Sequence, residues 1–533
     1  MHWWQGAVIY QVYPRSFADS NGDGVGDLRG LMETLPYIAS LGVDAVWISP
    51  FFKSPQADFG YDVSDYQAVD PLFGSNEDFK ALLNKAHDLG LKILVDLVLS
   101  HTSEQHPWFL ESRQSHDNAY ANWYVWADPK PDGSPPNNWI NRFTNASAWT
   151  WEPRRRQYYL HNFLPSQPDL NFHNPAVRQA MLDVAKFWLD FGVDGFRFDV
   201  VNMYVHDAQL RDNPARSPQD PNLDDVPPSN PLSRQCQVFN RSQPENLLFV
   251  EELRQLMDQY PHITSIGEVS DDDNLRVAAE YTQGRQRLHM AYNPYLLRPL
   301  VFTDALWRTA MTLTEEYFTQ SWPLWTTGNH DCLRLATRWG GEMPDRRLLK
   351  LMPALFGAQR CSLLLYQGDE LGLPEADIPY ALLQDPFGIA LWPDYKGRDG
   401  CRTPMPWQQN EENAGFTHAV PWLPVPESHR PLAVDAQDID PNSLLNHWRH
   451  FLHWRKTQAD LQSAPFAWQE SPEGLVAFTR GQTLVILNMT DRQQTMPCNA
   501  QAIEGHGYED MYQQTGGTIT LQPYGAFFGT LKQ

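Results

Sequence analysis

GFRFD at residues 195–199 ends a short apolar run with a carboxylate, that of Asp199. Two later segments repeat the pattern and carry Glu268 and Asp331 at or next to their ends: SIGEV at 265–269 and WTTGNHD at 325–331. If these runs are parallel strands of one closed barrel, their carboxyl ends open onto the same face. We therefore expect Asp199, Glu268 and Asp331 to share one site.

Eight short apolar runs along the chain have the composition of β-strands. They lie at residues 7–10, 45–48, 93–97, 196–198, 263–266, 288–292, 324–326 and 362–366. The longer stretches between them are helical in pattern, with Ser75 and Asp78 as a capping box before one helix and Gly192 closing another. Strands that alternate with helices predict an α/β fold, specifically a (β/α)8 TIM barrel.

Two stretches between strands are longer than the roughly 30 residues of one barrel unit. Residues 102–170 are rich in Pro, Asn and Trp, and they predict a small domain inserted after the third strand. Residues 204–243 hold too much Pro and Asp for a regular helix, and form either a lid or a disordered loop. Residues 456–533 alternate apolar runs with turns, which predicts a C-terminal antiparallel β-sandwich domain. The barrel would then comprise residues 1–101 and 171–455.

The charge balance limits the kinds of partner. The 533 residues include 64 acidic and 41 basic ones, for a formal charge of -23, with no Lys/Arg run longer than the three arginines at 154–156. This opposes nucleic acid or an anionic membrane surface as a partner and favours a neutral small ligand. Aromatic residues are numerous, and sugars stack on such rings, although most are expected in the core.

The five cysteines are scattered without redox or metal spacing, so we expect reduced thiols. The first residues lack the charged and apolar regions of a signal peptide, and no later stretch approaches a membrane span. The cytoplasm is therefore the expected compartment.

Six motifs, in order and in register, resemble those of the α-amylase family of glycoside hydrolases. They are VIYQVYPRSF (8–17), DLVLSH (96–101), QPDLN (167–171), GFRFDVVN (195–202), IGEVS (266–270) and GNHD (328–331). The resemblance extends over nearly the whole chain. Within the family it is nearest to bacterial α-glucosidases and oligo-1,6-glucosidases, which share a segment like GRDGCRTPMPW (397–407).

The resemblance implies that Asp199 is the nucleophile, Glu268 the acid/base and Asp331 a third acid that binds sugar hydroxyls. Retaining cleavage needs a carboxylate nucleophile and a carboxylic acid about 5–5.5 Å apart. Arg197 is two residues before Asp199 and would point the same way on a strand, keeping Asp199 ionised. Glu268 has no basic residue near it in the chain, which suits a proton donor. The alternative for Arg197 and Asp199 is a purely structural buried salt bridge.

The resemblance also implies a pocket closed at one end. His101 and His330 would donate hydrogen bonds to the sugar, and Tyr61 would stack on it. Asp58 would pair with Arg398 and limit binding to one glucosyl unit beyond the cleaved bond. Phe143 and Phe163 either line this pocket or pack in the core. The predicted substrate-binding residues are Asp58, Tyr61, His101, Phe163, Arg197, His330 and Arg398.

DSNGDGVGD at residues 19–27 has the spacing of a metal-binding loop but lacks the final Glu of an EF-hand. Its candidate ligands are the side chains of Asp19, Asn21, Asp23 and Asp27 and the carbonyl of Val25. The resemblance implies a structural Ca²⁺ or Mg²⁺ here, and the alternative is a metal-free Asx-turn. We expect no organic cofactor.

The preferred linkage stays open at this stage. Val200 and QPDLN resemble enzymes that prefer α-1,6 bonds, whereas QPDLNFHNP and PDGSPPNNW resemble α-1,4-glucosidases of short substrates that also transfer glucose. We expect an exo-acting, retaining α-glucosidase for substrates such as maltose, with transfer to sugar or phenolic acceptors, as a monomer or homodimer. The alternatives are an oligo-1,6-glucosidase, a sucrose-acting glucosyltransferase or isomerase, and a non-catalytic sugar-binding scaffold. The three acids and Arg197 count against the scaffold.

Overall fold

The computed structural model describes residues 2–217, 219–220 and 230–532. Eight parallel strands close into a barrel in which each strand pairs with its neighbours in chain order. These strands are β1 (Val8–Val12), β2 (Ala45–Ile48), β3 (Lys92–Leu97), β4 (Gly195–Phe198), β5 (Thr264–Gly267), β6 (Met290–Tyr292), β7 (Trp322–Thr326) and β8 (Ser362–Tyr366). The predicted (β/α)8 barrel is confirmed.

The barrel strands are nearly continuous apolar runs because both of their faces are covered, one by helices and the other by the barrel interior. Two charged side chains interrupt these runs: Asp96 in β3 and Arg197 in β4 are paired across the strands and almost fully buried. Burying a charge is costly unless it is paired and hydrogen-bonded. The position of these two residues therefore marks a polar site inside the barrel.

The helices of eight or more residues, within the part of the chain that is described, mostly surround the barrel. They are Leu28–Ser40, Asn76–Asp88, Pro175–Phe191, Asn246–Met257, Asn274–Tyr281, Asp304–Tyr317, Arg346–Gly357 and Leu444–Lys456. Shorter helices are Pro107–Ser112, Leu335–Gly340, Pro386–Leu391, Val434–Asp438 and Ala459–Ser463. The capping box of Ser75 and Asp78 is present, and Gly192 ends its helix at a φ of 108°, where glycine is favoured.

Residues 102–170 contain the helix Pro107–Ser112 and a small antiparallel sheet. Its strands are Trp126–Ala127, Trp149–Glu152 and Gln157–Leu160. The segment after β4 adds to this region, since Asn138 N–H donates to Asp212 and the Trp139 indole donates to the Arg211 carbonyl, both at 2.9 Å. Of the predicted lid at 204–243, positions 218 and 221–229 lie outside the described residues. The lid and the domain boundaries stay predictions.

Two antiparallel sheets follow the barrel. One contains Phe466–Trp468, Leu475–Arg480, Thr483–Asn488, Ala500–Ala502 and Ala526–Leu531, and the other contains Gln494–Pro497, Tyr512–Thr515 and Thr518–Leu521. Leu475 and Ile486 of the first sheet share a core with Ile519 of the second, while Phe478 faces the barrel. The five cysteines are free thiols. Within the described ranges, every helix is too short or too polar to cross a membrane.

Candidate active site

One cavity opens at the carboxyl ends of the barrel strands, and Asp199, Glu268 and Asp331 all border it. Asp199 directly follows β4 and Glu268 directly follows β5, while Asp331 lies in the loop after β7. Parallel strands β4 and β5 are neighbours, with Gly267 paired to Phe198. The two acids therefore emerge side by side from adjacent strands onto the same cavity.

The guanidinium of Arg197 holds both of these acids. Its Nη1 lies 2.6 Å from Oδ1 of Asp199, and its Nη2 lies 2.6 Å from Oε2 of Glu268. Nη1 also donates to Asp96 at 2.9 Å, and Nη2 donates to the hydroxyl of Tyr292 at 3.1 Å. Because the guanidinium is planar and rigid, it fixes the separation and orientation of the two carboxylates.

Arg197 does not border the cavity but is fully buried beneath it, where it contacts the acids, and its role in substrate binding stays a prediction. Glu268 has no basic residue near it in the chain, but it binds Arg197 because strands distant in sequence are adjacent in the barrel. The backbone N–H of Val200 also donates to Glu268 at 3.0 Å.

Burial has the largest effect on the pKa values of Asp199 and Asp96. Desolvation raises the pKa of Asp199 well above its usual value, although Arg197 acts in the opposite direction. Desolvation likewise raises the pKa of Asp96 to about 6, again against Arg197. Three carboxyl groups thus share one guanidinium, and full ionisation would leave like charges close together. Desolvation thus acts against the expectation that Arg197 keeps Asp199 ionised.

Asp331 has the opposite surroundings. Its Oδ1 accepts from Arg402 at 2.8 Å and from Arg398 at 3.1 Å, and its Oδ2 lies 3.3 Å from Nε2 of His330. Although burial acts the other way, His330 and the two arginines hold the pKa of Asp331 far below its usual value. Asp331 is therefore a carboxylate at neutral pH.

One end of the cavity is closed by an ion-pair network. Nη2 of Arg398 lies 2.9 Å from Asp58 and 2.8 Å from Asp385, and the guanidinium also stacks over Phe143 at 4.6 Å. Gln167 donates to the other oxygen of Asp58 at 3.1 Å. Burial raises the pKa of Asp58 to about 6, and Arg398 opposes this shift.

The two histidines are placed differently. His101 borders the cavity, where burial lowers its pKa to about 4, so its ring is neutral. His330 is fully buried and does not border the cavity, and its predicted contact with the sugar stays a prediction. Its Nδ1 accepts from Gln11 at 2.8 Å, so its hydrogen is on Nε2, which lies 2.6 Å from the Tyr61 hydroxyl. His330 therefore positions Tyr61 and Asp331 from behind the cavity wall.

Apolar and aromatic side chains form much of the remaining wall. Phe143 and Phe163, left open between core and pocket, both border the cavity, as do Tyr61 and Val200. Val200 adopts a φ of 34°, a strained left-handed conformation for a β-branched residue. This conformation accompanies the hydrogen bond from its N–H to Glu268, so backbone strain next to Asp199 orients the second acid.

The loop at residues 19–27 is organised by its own hydrogen bonds. Asp19 accepts from the backbone of Gly22 at 2.7 Å and Gly24 at 2.8 Å, and Asp27 caps the helix Leu28–Ser40. Oxygen donors suit a hard cation such as Ca²⁺ or Mg²⁺. However, among the residues described, no three acidic, His or Cys side chains converge on a common point. Asn21 and the carbonyl of Val25 are outside such a set, and metal binding by this loop stays a prediction.

Sequence reasoning missed several residues of the network: Asp96, Gln167, Tyr292, Asp385 and Arg402. Asp96 left a signal, because a charged residue inside a buried strand run needs a partner. Arg402 lies within the quoted GRDGCRTPMPW segment, and Gln167 within QPDLN. Nothing local identified Tyr292 or Asp385.

The chain is similar to known proteins along most of its length. The family model described as "Alpha amylase, catalytic domain" matches residues 11–464. The chain belongs to the α-amylase family. A "Probable alpha-glucosidase" of Rhizobium meliloti (strain 1021) is 49% identical over 99% of this chain and 97% of that protein. An "Oligo-1,6-glucosidase" of Heyndrickxia coagulans is 36% identical over 85% of each chain.

Solved structures of α-amylase family members superpose along the whole chain. The α-glucosyl transfer enzyme XgtA has 50% identity and a TM-score of 0.96, with full coverage of both chains. The trehalulose synthase MutB from Pseudomonas mesoacidophila MX-45 has 30% identity and a TM-score of 0.89, also with full coverage. The protein is a glycoside hydrolase, and the predicted family membership is confirmed. Its relatives support α-glucosidase activity.

Proposed function

We propose that this enzyme is a retaining, exo-acting α-glucosidase that removes terminal α-glucosyl units from small substrates such as maltose. The observation that carries the proposal is the single guanidinium of Arg197, 2.6 Å from both Asp199 and Glu268 at one cavity. A nucleophile and a proton donor held by one rigid cation suit double displacement. The closed end at Asp58 and Arg398 suits exo action on short chains.

In the first step, an oxygen of Asp199 attacks the anomeric carbon while Glu268 gives its proton to the leaving oxygen. The glycosidic C–O bond breaks, an ester bond to Asp199 forms, and the leaving group departs as an alcohol. Arg197 stabilises the charge left on Glu268. Asp331, ionised between two arginines, binds sugar hydroxyls more tightly as positive charge develops at the ring.

In the second step, Glu268 takes a proton from water or from an acceptor alcohol, whose oxygen attacks the glucosyl ester and releases Asp199. We propose transfer to sugar or phenolic alcohols alongside hydrolysis. The support is the full-length similarity to XgtA, which is described as an α-glucosyl transfer enzyme, at 50% identity.

An oligo-1,6-glucosidase is the second candidate. Val200, the residue whose type pointed towards α-1,6 bonds, borders the cavity next to the nucleophile. Oligo-1,6-glucosidases of Heyndrickxia coagulans and Parageobacillus thermoglucosidasius are each 36% identical over 85% of this chain. The more similar relatives, at 49% and 50% identity, carry other names, which favours the first candidate.

One assay separates the candidates. The enzyme is incubated with maltose, isomaltose and sucrose, and the products are identified by chromatography. Glucose and transfer products from maltose support the proposal, preferential glucose release from isomaltose supports the second candidate, and isomeric disaccharides from sucrose indicate an isomerase. Asp199→Ala should abolish turnover of the preferred substrate, whereas Asp510→Ala, an exposed aspartate of the C-terminal sheets, should leave it unchanged. Normal turnover by Asp199→Ala would refute the assignment.

A further inference from the structure

The cavity has two chemically distinct ends. Asp58 and Tyr61 belong to the loop after β2, and Arg298 belongs to the loop after β6. In a closed ring of eight strands in chain order, β2 and β6 lie opposite each other. Arg298 therefore borders the cavity on the side across from its closed end. The strand it follows, β6, is next to β5, which Glu268 follows.

Arg298 and Arg398 both border the cavity, but they differ in their partners. Arg398 binds three carboxylates, those of Asp58, Asp331 and Asp385. Arg298 is half-buried and stacks over the Tyr295 ring at 5.1 Å, but its Nε has no hydrogen-bond partner. Throughout residues 2–217, 219–220 and 230–532, no carboxylate forms an ion pair with it.

The guanidinium of Arg298 is held against the ring of Tyr295 rather than by a carboxylate of the described residues. The chain carries 64 acidic residues against 41 basic ones, so acidic side chains are abundant. The stacking on Tyr295 holds the guanidinium plane in place and reduces the entropy lost when a ligand binds. A planar guanidinium held against an aromatic ring at the cavity wall is suited to a carboxylate, which it can bind through two parallel hydrogen bonds.

We propose that Arg298 forms a binding site for a carboxylate carried by the leaving group or the acceptor, at the end of the cavity away from Asp58. This inference rests on the proposed cleavage of α-glucosides and names a class of aglycone for it, hydroxyaryl carboxylates. Pro294 and Leu297 border the cavity beside Arg298 and supply an apolar surface for the aryl ring. The net charge of -23 repels anions at long range, so a preference for a carboxylate must come from the local contact with Arg298.

The site is tested by hydrolysis of two aryl α-glucosides, the 4-carboxyphenyl and the 4-carbamoylphenyl glycoside, which differ in charge but little in shape. For each protein the ratio of the two KM values is measured, so that changes common to both substrates cancel. The variants are Arg298→Gln and Arg298→Lys, and the matched control is Arg29→Gln, whose side chain is 67% exposed on a barrel helix.

The wild type should have a KM for the carboxylate about tenfold below that for the amide, the size expected of one charge-assisted contact. Arg298→Gln should lose this preference through KM, Arg298→Lys should keep part of it, and Arg29→Gln should keep all of it. For the wild type, 0.5 M salt should reduce the preference for the carboxylate over the amide. This measurement does not depend on whether a variant folds. Equal KM ratios in the wild type and in Arg298→Gln would show that Arg298 does not bind the carboxylate. Failure of the wild type to cleave either glycoside would overturn the proposed function, and the site with it.

Discussion

Nη2 of Arg197 lies 2.6 Å from Oε2 of Glu268, so one buried arginine holds the proposed proton donor as well as the proposed nucleophile. A cation shared in this way has two effects. It stabilises negative charge on whichever acid is ionised at a given step, and it keeps the distance between the acids constant while the proton moves. The contact of Arg197 with both acids thus serves both steps of a double displacement.

Replacing this arginine should therefore cost both rate and stability. Arg197→Lys keeps the charge but cannot bridge two carboxylates, and kcat on 4-nitrophenyl α-glucoside should fall about 10²–10³-fold. Arg197→Met leaves three buried carboxyl groups without their cation and should lower the free energy of unfolding by about 3–5 kcal/mol in urea titrations. Arg254→Lys, in a pair with Asp258 on an outer helix, is the control. A kcat within tenfold of wild type for Arg197→Lys would contradict the shared role.

Glu268→Gln should separate the acid role from the nucleophile role. Since an amide cannot donate the required proton, maltose cleavage should slow about 10²–10⁴-fold. Release of 2,4-dinitrophenolate from its α-glucoside needs no protonation, so the first step on that substrate should slow far less, as seen by burst kinetics. Equal losses on both substrates would show that Glu268 is not the proton donor.

Asp58→Asn should change how stability depends on pH. The folded protein holds a proton on Asp58 up to about pH 6, whereas the unfolded chain releases it near the usual value of 3.8. Because its pKa is raised by folding, Asp58 contributes about 3 kcal/mol to the free energy of unfolding below about pH 4. This contribution is lost as the pH rises to about 6. Between pH 4 and 7 the stability of the wild type should therefore fall relative to Asp58→Asn in urea titrations. The exposed variant Asp510→Asn should run parallel to wild type, and parallel behaviour of Asp58→Asn would contradict the assignment.

Metal binding by the loop at 19–27 can be tested without reference to activity. After treatment with EDTA, adding Ca²⁺ or Mg²⁺ should raise the thermal midpoint, because a ligand at 100 times its Kd stabilises by about 2.7 kcal/mol. Asp23→Ala should abolish the rise, whereas Asp132→Ala, an aspartate in an exposed turn elsewhere, should not. An equal rise in Asp23→Ala and wild type would place the ion elsewhere, and no rise in wild type would leave the loop as a metal-free turn.

The fold could be predicted because its strands carry their own signal. Segments such as Ala45–Ile48 and Ser362–Tyr366 are continuous apolar runs with clear ends, and the structure has strands at these same residues. The ends were less certain elsewhere: β1 was predicted at 7–10 and extends over Val8–Val12, because Gln11 does not look apolar although it is buried.

The site was harder to predict, since its chemistry depends on contacts between strands distant in sequence. Asp199 and Arg197 are two residues apart and could be paired from the sequence. Glu268 lies 71 residues from Arg197, so their contact exists only once β4 and β5 are adjacent. The burial that dominates the ionisation of Asp199 also comes from the closed barrel and from no local pattern.

Asp199 should form a covalent glucosyl ester during turnover. To detect it, the enzyme is incubated with 5-fluoro-α-D-glucosyl fluoride, which slows breakdown of the ester, and the added mass is located by peptide mass spectrometry. One fluoroglucosyl group is expected on the peptide that contains Asp199. A label on any other residue, or loss of fluoride with no label at all, would contradict this expectation.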